Sequence, residues 1–333
     1  PNPINVTVGA TRAFSAVAYD QYNNILAGID FIWTTNVGTI DASGLLTAQT
    51  TPKTGTVTAR NNTITGFANV NVVPGPVNSI VVLPGSVILA TGATQTFTAT
   101  AYDSYGNVIS GTTFIWATNV GSVTPGGVFT AQTAPGTGTV TATSGTVTGL
   151  ANVQVIVGPV HHVIVTPNPA SVTVTQTKQF TAHAYDAYNN EVTPVIFIWT
   201  SNVGVVNSAG LLTAQPTPAS GWVRAAVGIV IGSANVSVVP GVINSIIISP
   251  PFVTLGVGQT QLFTATAYDI YNNVIPGVVF NWNTNVGTIT SGGLFTARTT
   301  PGTGIVSATN GSVSKTASVT ITVGGVDHIA VIP

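Results

Sequence analysis

Four aspartates, Asp20, Asp103, Asp186 and Asp269, each stand inside a Tyr-Asp-x-Tyr-x-Asn stretch, and they are the acids that return in every copy of it. Oxygen ligands at a fixed spacing raise the question of calcium, which takes about six to eight of them, usually with several carboxylates. One Asp per copy, with Asn24, Asn107, Asn190 or Asn273 nearby, is too few. Turn capping is the expected role, because Asp and Asn side chains bond nearby backbone, and no metal is expected. Nor do the residues assemble a catalytic set. The chain has no Cys, its single Glu191 has no second acid to form a glycosidase pair, and no Ser, His and acid constellation recurs. His161 and His162 are adjacent on a strand and so point to opposite faces, which prevents joint chelation. They read as ordinary polar positions, with His328 in phase with His162 and His183 in an alternating strand. Neither catalytic residues nor a cofactor are expected.

Two further residue classes could carry function. Trp33, Trp116, Trp199 and Trp282 would serve as sugar platforms if exposed, but each follows a Phe by two positions. On a strand that spacing puts both rings on one face, so they are expected to be core aromatics. Trp222 occupies a position held elsewhere by Thr56, Thr139 and Ile305. It is a candidate for an exposed contact between modules or chains. Four Asn-x-Ser/Thr sequons, at Asn5, Asn61, Asn235 and Asn310, are glycosylation candidates. Asn61 and Asn310 fall in phase at one hairpin, which reads as an exposed acceptor.

All these residues sit in a repeating frame. Tyr19, Tyr102, Tyr185 and Tyr268 follow one another at 83-residue intervals, as do the four tryptophans, so the 333 residues are four copies of one unit. The expected modules are 1–76, 77–159, 160–242 and 243–325, followed by an extra strand at 326–333. In the second copy, VNSIVVL (77–83) is rich in β-branched residues and is closed by Pro84. QTFTATAY (95–102) alternates strictly, with Phe97, Ala99 and Ala101 on one face. DSYGN turns the chain, TFIWA (113–117) and VFTAQ (128–132) follow, and GTVTAT (138–143) forms a hairpin with 146–157. About seven strands per copy, separated by turn signals and without a helical stripe, indicate an all-β chain of four tandem immunoglobulin-like Greek-key sandwiches. Short proline joints, Pro74-Gly75-Pro76 and Gly158-Pro159, predict a rod-like array rather than a flexible string.

Composition limits the partners. Charged residues make up 5% of the chain and the formal net charge is −1, so no electrostatic case exists for nucleic acid or an acidic membrane. Residues 104–177 lack Asp, Glu, Lys and Arg but alternate with period two and are dense in Thr, Gly, Ser and Asn. A spanning helix needs about 20 mostly apolar residues in a row, so no membrane span is expected here. A surface kept wet by Thr, Asn, Ser and Gln is common in secreted and cell-surface β-proteins.

FTATAYDSYGN, FIWATNVG, GGVFTAQ and GTVTATSG together resemble the bacterial immunoglobulin-like repeats of invasin- and intimin-type adhesins and other prokaryotic surface proteins. The resemblance covers all four copies. It implies an extracellular, cell-surface location and the roles such repeats serve: stalks, adhesin arms, filament or surface-layer components, and spacers of secreted enzymes. It transfers no binding site.

The strand VNSIVVLP returns at 160–167, at 243–250 and finally at Val326, Asp327, His328, Ile329, Ala330, Val331, Ile332 and Pro333, while the first copy has none before Pro1. Two readings stay open. The sequence is an excerpt of a longer array, or the last strand pairs with the first module of the next molecule, a head-to-tail strand addition that propagates into a filament. The function expected is a non-enzymatic structural array of a cell-surface filament or adhesin stalk, with itself and the cell envelope as partners. The alternative is a carbohydrate- or host-binding adhesin module or a spacer.

Overall fold

The computed structural model describes residues 3–332, and the regular secondary structure in it is all β. Four buried cores succeed one another along the chain, within residues 6–72, 80–155, 163–238 and 246–321. Each lies between small sheets of one repeat, which gives four tandem immunoglobulin-like sandwiches. The chain divides into two compact units, one running to Pro159 and including Tyr188–Asn190, the other comprising Val160–Ala187 and Glu191 onward.

The second repeat illustrates the wiring. One four-stranded sheet has the order Ser86–Ala90, Val147–Ile156, Gly136–Ser144, Ile115–Thr118. Its first pair is parallel, Val87 lying opposite Val153, and the long hairpin beside it is antiparallel, Val140 lying opposite Ala151. Facing it are a three-stranded sheet, Thr94–Thr96, Val128–Ala131, Gly121–Val123, and a pair, Ser79–Leu83 with Thr98–Tyr102. Between the layers the fully buried rings of Phe97 and Phe129 meet edge to face, centroids 6.0 Å apart, over Val140, Ala142, Ala151 and Val153. The alternating threonines cover the outside, as period-two patterning dictates.

Two sequence expectations need correction. QTFTATAY is not one strand: it breaks at Phe97, whose N–H donates to the Gly127 carbonyl. Thr94–Thr96 pairs with Val128–Thr130, whereas Thr98–Tyr102 pairs with Ser79–Leu83, so the chain changes sheets while its side chains keep alternating. The count of about seven strands is also low. Nine are present in this repeat, because Ser86–Ala90, just beyond Pro84, adds a parallel edge strand and the broken strand counts twice.

Glycine is required where the tryptophan meets a turn. Gly127 has φ +79°, and a Cβ there would collide with the Phe97 carbonyl oxygen and press on the Trp116 ring. Gly44, Gly210 and Gly293 hold the same position in the other repeats.

Candidate assembly site

The Tyr-Asp-x-Tyr-x-Asn turn is built first from its own backbone. Asp103 N–H donates to the Asn107 carbonyl at 3.0 Å, and Gly106 N–H donates back to the Asp103 carbonyl at 3.1 Å. Asp103 Oδ1 accepts the N–H groups of Tyr105 and Asn107, both at 2.9 Å, while Asn107 Nδ2 donates to Asp103 Oδ2 at 2.9 Å. This much is capping. The carboxylate has a further partner: Oδ2 accepts the N–H of Gly75, in the joint after the first repeat, at 2.9 Å. Asn107 Nδ2 also donates to the Thr50 carbonyl of the first repeat at 2.8 Å, and the Tyr105 hydroxyl rests on Gly9. The turn of one repeat therefore grips the joint and the end of the repeat before it.

Within the second unit the same set recurs. Asp269 accepts from Tyr271 and Asn273 N–H at 2.9 Å each and from Gly241 N–H at 2.9 Å. Asn273 Nδ2 donates to the Pro216 carbonyl at 2.8 Å, and the Tyr271 hydroxyl lies 3.2 Å from Thr175 Oγ1. Asp103, Asp186 and Asp269 are buried. Burial pushes the Asp103 carboxyl up, but the Asn107 amide and the N–H groups of Gly75, Asn107 and Tyr105 outweigh it and bring its pKa down to about 2. Asp269 is lowered against the same burial, chiefly by Gly241 N–H and the Asn273 side chain.

Among the described residues the first repeat has the turn but not the grip. Asp20 accepts from Tyr22 N–H, Asn24 N–H and Asn24 Nδ2 at 2.8–2.9 Å, so the turn is formed, yet Tyr22 is 76% exposed. Beside it lies an uncovered strip of sheet. In the second repeat Thr98–Tyr102 is covered by Ser79–Leu83, which buries Ile80 and Val82, and in the third Thr181–Tyr185 is covered by His162–Thr166. In the first, among the described residues, Ala18–Tyr19 pairs only with Ile25–Leu26. A groove of about 420 Å³ is left open, lined by Ala16, Ala18, Tyr19, Phe31, Ile64 and Gly66.

The remaining candidates are placed as follows. Trp33, Trp116, Trp199 and Trp282 are half-buried and pack against the four cores. Phe197 and Trp199 lie 6.4 Å apart, on one face as spacing requires. Trp222 is half-buried, and the Arg224 guanidinium lies 3.9 Å from its ring centroid, a cation–π pair. The hairpin asparagines differ from the exposed acceptor expected. Asn61 and Asn310 are half-buried, and their Nδ2 atoms, which a glycan would use, donate to the carbonyls of Asp30 and Val279 at 2.9 Å each. Asn5 and Asn235 are exposed on strands. His162 stacks on Tyr185 at 5.3 Å. His183 and Glu191, not linked by sequence reasoning, are 2.6 Å apart (Nδ1 to Oε1), with both side chains about half exposed, where an ion pair contributes little. Among the described residues no three His, Cys, Asp or Glu side chains gather as a metal site, and no helix is long and apolar enough to cross a membrane. Val326, Ile329, Val331 and Ile332 are exposed and outside any strand; Pro333 lies outside the described residues.

Sequence reasoning found the turn but missed what it grips. The signal was the second tyrosine of the motif, which capping alone does not require.

No family model matches the chain. Ice-binding protein 1 of Shewanella frigidimarina (strain NCIMB 400) is 26% identical over 346 aligned residues, and the match spans 99% of this chain but 38% of that protein. Among solved structures, the bacterial integrin-binding protein invasin is 17% identical with a TM-score of 0.40, covering 92% of this chain and 74% of that one. Domains 1–6 of the surface-layer protein SbsC are 19% identical with a TM-score of 0.32, covering 89% and 50%. The Escherichia coli adhesin FdeC is similar at 17% identity and a TM-score of 0.38, covering 75% of this chain and 99% of that one.

Proposed function

We propose that this chain is a non-enzymatic, extracellular structural array, a segment of a cell-surface filament or adhesin stalk in which the turn of one repeat locks the joint to the repeat before it within each unit. The observation that carries this reading is the repeated grip. Asp103 on Gly75 and Asn107 on Thr50 in one unit are matched by Asp269 on Gly241 and Asn273 on Pro216 in the other. A linker meant to flex would leave its backbone to water; here a joint N–H is bonded to a buried carboxylate, which resists bending at that point. Head-to-tail joining through 326–333 belongs to the same proposal, because it would use the grip once more between molecules. A low share of charge and a Thr-covered surface suit an extracellular setting, where the cell envelope would be the anchor.

Electron microscopy of the purified chain tests it. Particles that grow end to end with concentration are expected; particles that stay single at every concentration would contradict the reading. Selective binding on a glycan array by particles that do not associate would favour an adhesive module instead.

A further inference from the structure

We infer that Asn235 is an N-glycosylation site and that the sugar it carries seats against Trp222, the tryptophan that stands outside the repeated core position. The inference presupposes the extracellular setting proposed above and is independent of end-to-end joining, since every residue it uses lies within the third repeat.

Asn235 and Trp222 are directly opposed on neighbouring antiparallel strands, Val230–Val239 and Ala219–Val227. Both side chains point outward, because their strand neighbours Ala234, Val236 and Val223 belong to the core. Opposed Cβ atoms on such strands are about 4.5–5.5 Å apart, so a group attached to the amide nitrogen meets the indole. The nitrogen is available. Asn235 N–H donates to Asn168 Oδ1 at 2.9 Å, but its side-chain amide has no hydrogen-bond partner among the described residues. The other sequons lack this combination. Asn61 and Asn310 commit their Nδ2 donors to carbonyls, and opposite Asn5 stands Asn71, whose Nδ2 donates to Asn5 Oδ1 at 3.1 Å.

The sheet face around the pair is cleared in the third repeat. Ser233 and Ser237 flank Asn235 along its strand, and Ser220 and Ser171 lie beside Ser237 on the two neighbouring strands. The second repeat holds Leu150, Gln154, Thr137 and Ile88 there, and the first and fourth repeats also carry residues larger than serine at all four positions. The asparagine itself recurs as Asn69 and Asn152, opposite Thr56 and Thr139. Two residues on, however, those repeats have Asn71 and Gln154 where a sequon needs Ser or Thr. Sequon hydroxyl, cleared surroundings and tryptophan therefore coincide in one repeat. A pyranose presents C–H groups on its faces and hydroxyls at its rim. The C–H groups pack on aromatic carbon, and the serine hydroxyls bond the rim. The Arg224 guanidinium, 3.9 Å from the ring centroid, steadies the indole. The bond itself forms on the extended chain before the strand pairs. Asn235 Nδ2 attacks the anomeric carbon of a lipid-diphosphate-activated saccharide, in a step catalysed by a transferase. The C–N bond forms, Nδ2 loses one proton, the C–O bond to phosphate breaks and the lipid diphosphate leaves. Folding then brings Trp222 alongside the sugar.

Secretion of the full 333-residue chain from yeast supplies both the transferase and the activated sugar. Peptide mapping by mass spectrometry is expected to show Asn235 occupied, and Ser237→Ala, which keeps the asparagine, to abolish the occupancy. Packing is read separately. Ser237→Ala should lower the thermal midpoint of the secreted second unit by about 2–4 °C. It should cause no shift in the same chain made in a bacterial host without the transferase, and none in secreted Trp222→Thr, which takes the residue of the first two repeats. An unmodified Asn235 in the secreted chain overturns the proposal. So does a glycan whose removal lowers the midpoint as much in Trp222→Thr as in the wild-type chain. If Asn235 is unmodified but a chito-oligosaccharide binds the bacterially made chain, and Trp222→Thr abolishes that binding, the platform takes a free saccharide and the covalent assignment is wrong.

Discussion

The N–H of Gly75 donates to Asp103 Oδ2 at 2.9 Å across a separation of 28 residues, and that bond turns a local cap into a joint between repeats. A carboxylate that accepts only from its own turn stabilises the turn. One that also holds the joint couples the position of one sandwich to the next.

Asn107 closes the joint from the other side, through Asp103 Oδ2 and the Thr50 carbonyl. Asn107→Ala is expected to destabilise the first unit by about 1–3 kcal/mol, the cost of leaving such partners unmade. Asn24→Ala, whose residue bonds only within its own turn among the described residues, should cost less. Urea denaturation of the two variants side by side makes the comparison.

Acid should loosen the joint over a defined range. The Asp103 carboxyl sits at about 2 in the folded chain against about 3.9 for an ordinary aspartate. A pKa lowered by folding contributes stability that is complete above the unfolded value and is lost as pH falls through the folded one. The thermal midpoint of the first unit is therefore expected to be insensitive to Asp103 above about pH 5 and to fall between about pH 4 and 2. In Asp103→Asn that part of the acid dependence should vanish.

Gly127→Ala is expected to cost about 2 kcal/mol or more, because it combines positive φ with a backbone collision at Phe97. Gly145→Ala also has positive φ but open space around it and should cost about 1 kcal/mol. Calorimetry on both variants separates collision from backbone strain.

Phe129 is fully buried against Phe97. Phe129→Ala should cost about 3–5 kcal/mol, with loss of near-ultraviolet ellipticity from the second repeat. A loss below about 1 kcal/mol would mean that this core is not packed as described.

What was legible in the sequence followed from short-range rules. Period-two alternation marked the faces of QTFTATAY and the hairpin that follows GTVTAT, and the 83-residue phase marked the repeats. Alternation says which way a side chain points, not which strand lies alongside. The change of sheet at Phe97 therefore left no mark, and neither did the parallel strand Ser86–Ala90, whose partner is about 66 residues away. For Asp103, the neighbours within four residues suffice to account for a cap. Gly75, its other partner, is a plain linker glycine until the fold brings it there. The half-burial of the hairpin asparagines is hidden for the same reason: their bonds to Asp30 and Val279 span 31 residues.

The central claim is that the Tyr-Asp-x-Tyr-x-Asn turn locks the joint within each unit, and amide hydrogen exchange at Gly75 tests it most directly. In the wild-type chain the Gly75 amide, bonded to a buried carboxylate, should be protected well beyond an open linker. In Asp103→Asn it should exchange rapidly while the Thr139 amide, bonded to Asn119 within the second repeat, stays slow. A Gly75 amide that exchanges at the rate of an unstructured peptide in the wild-type chain would contradict it.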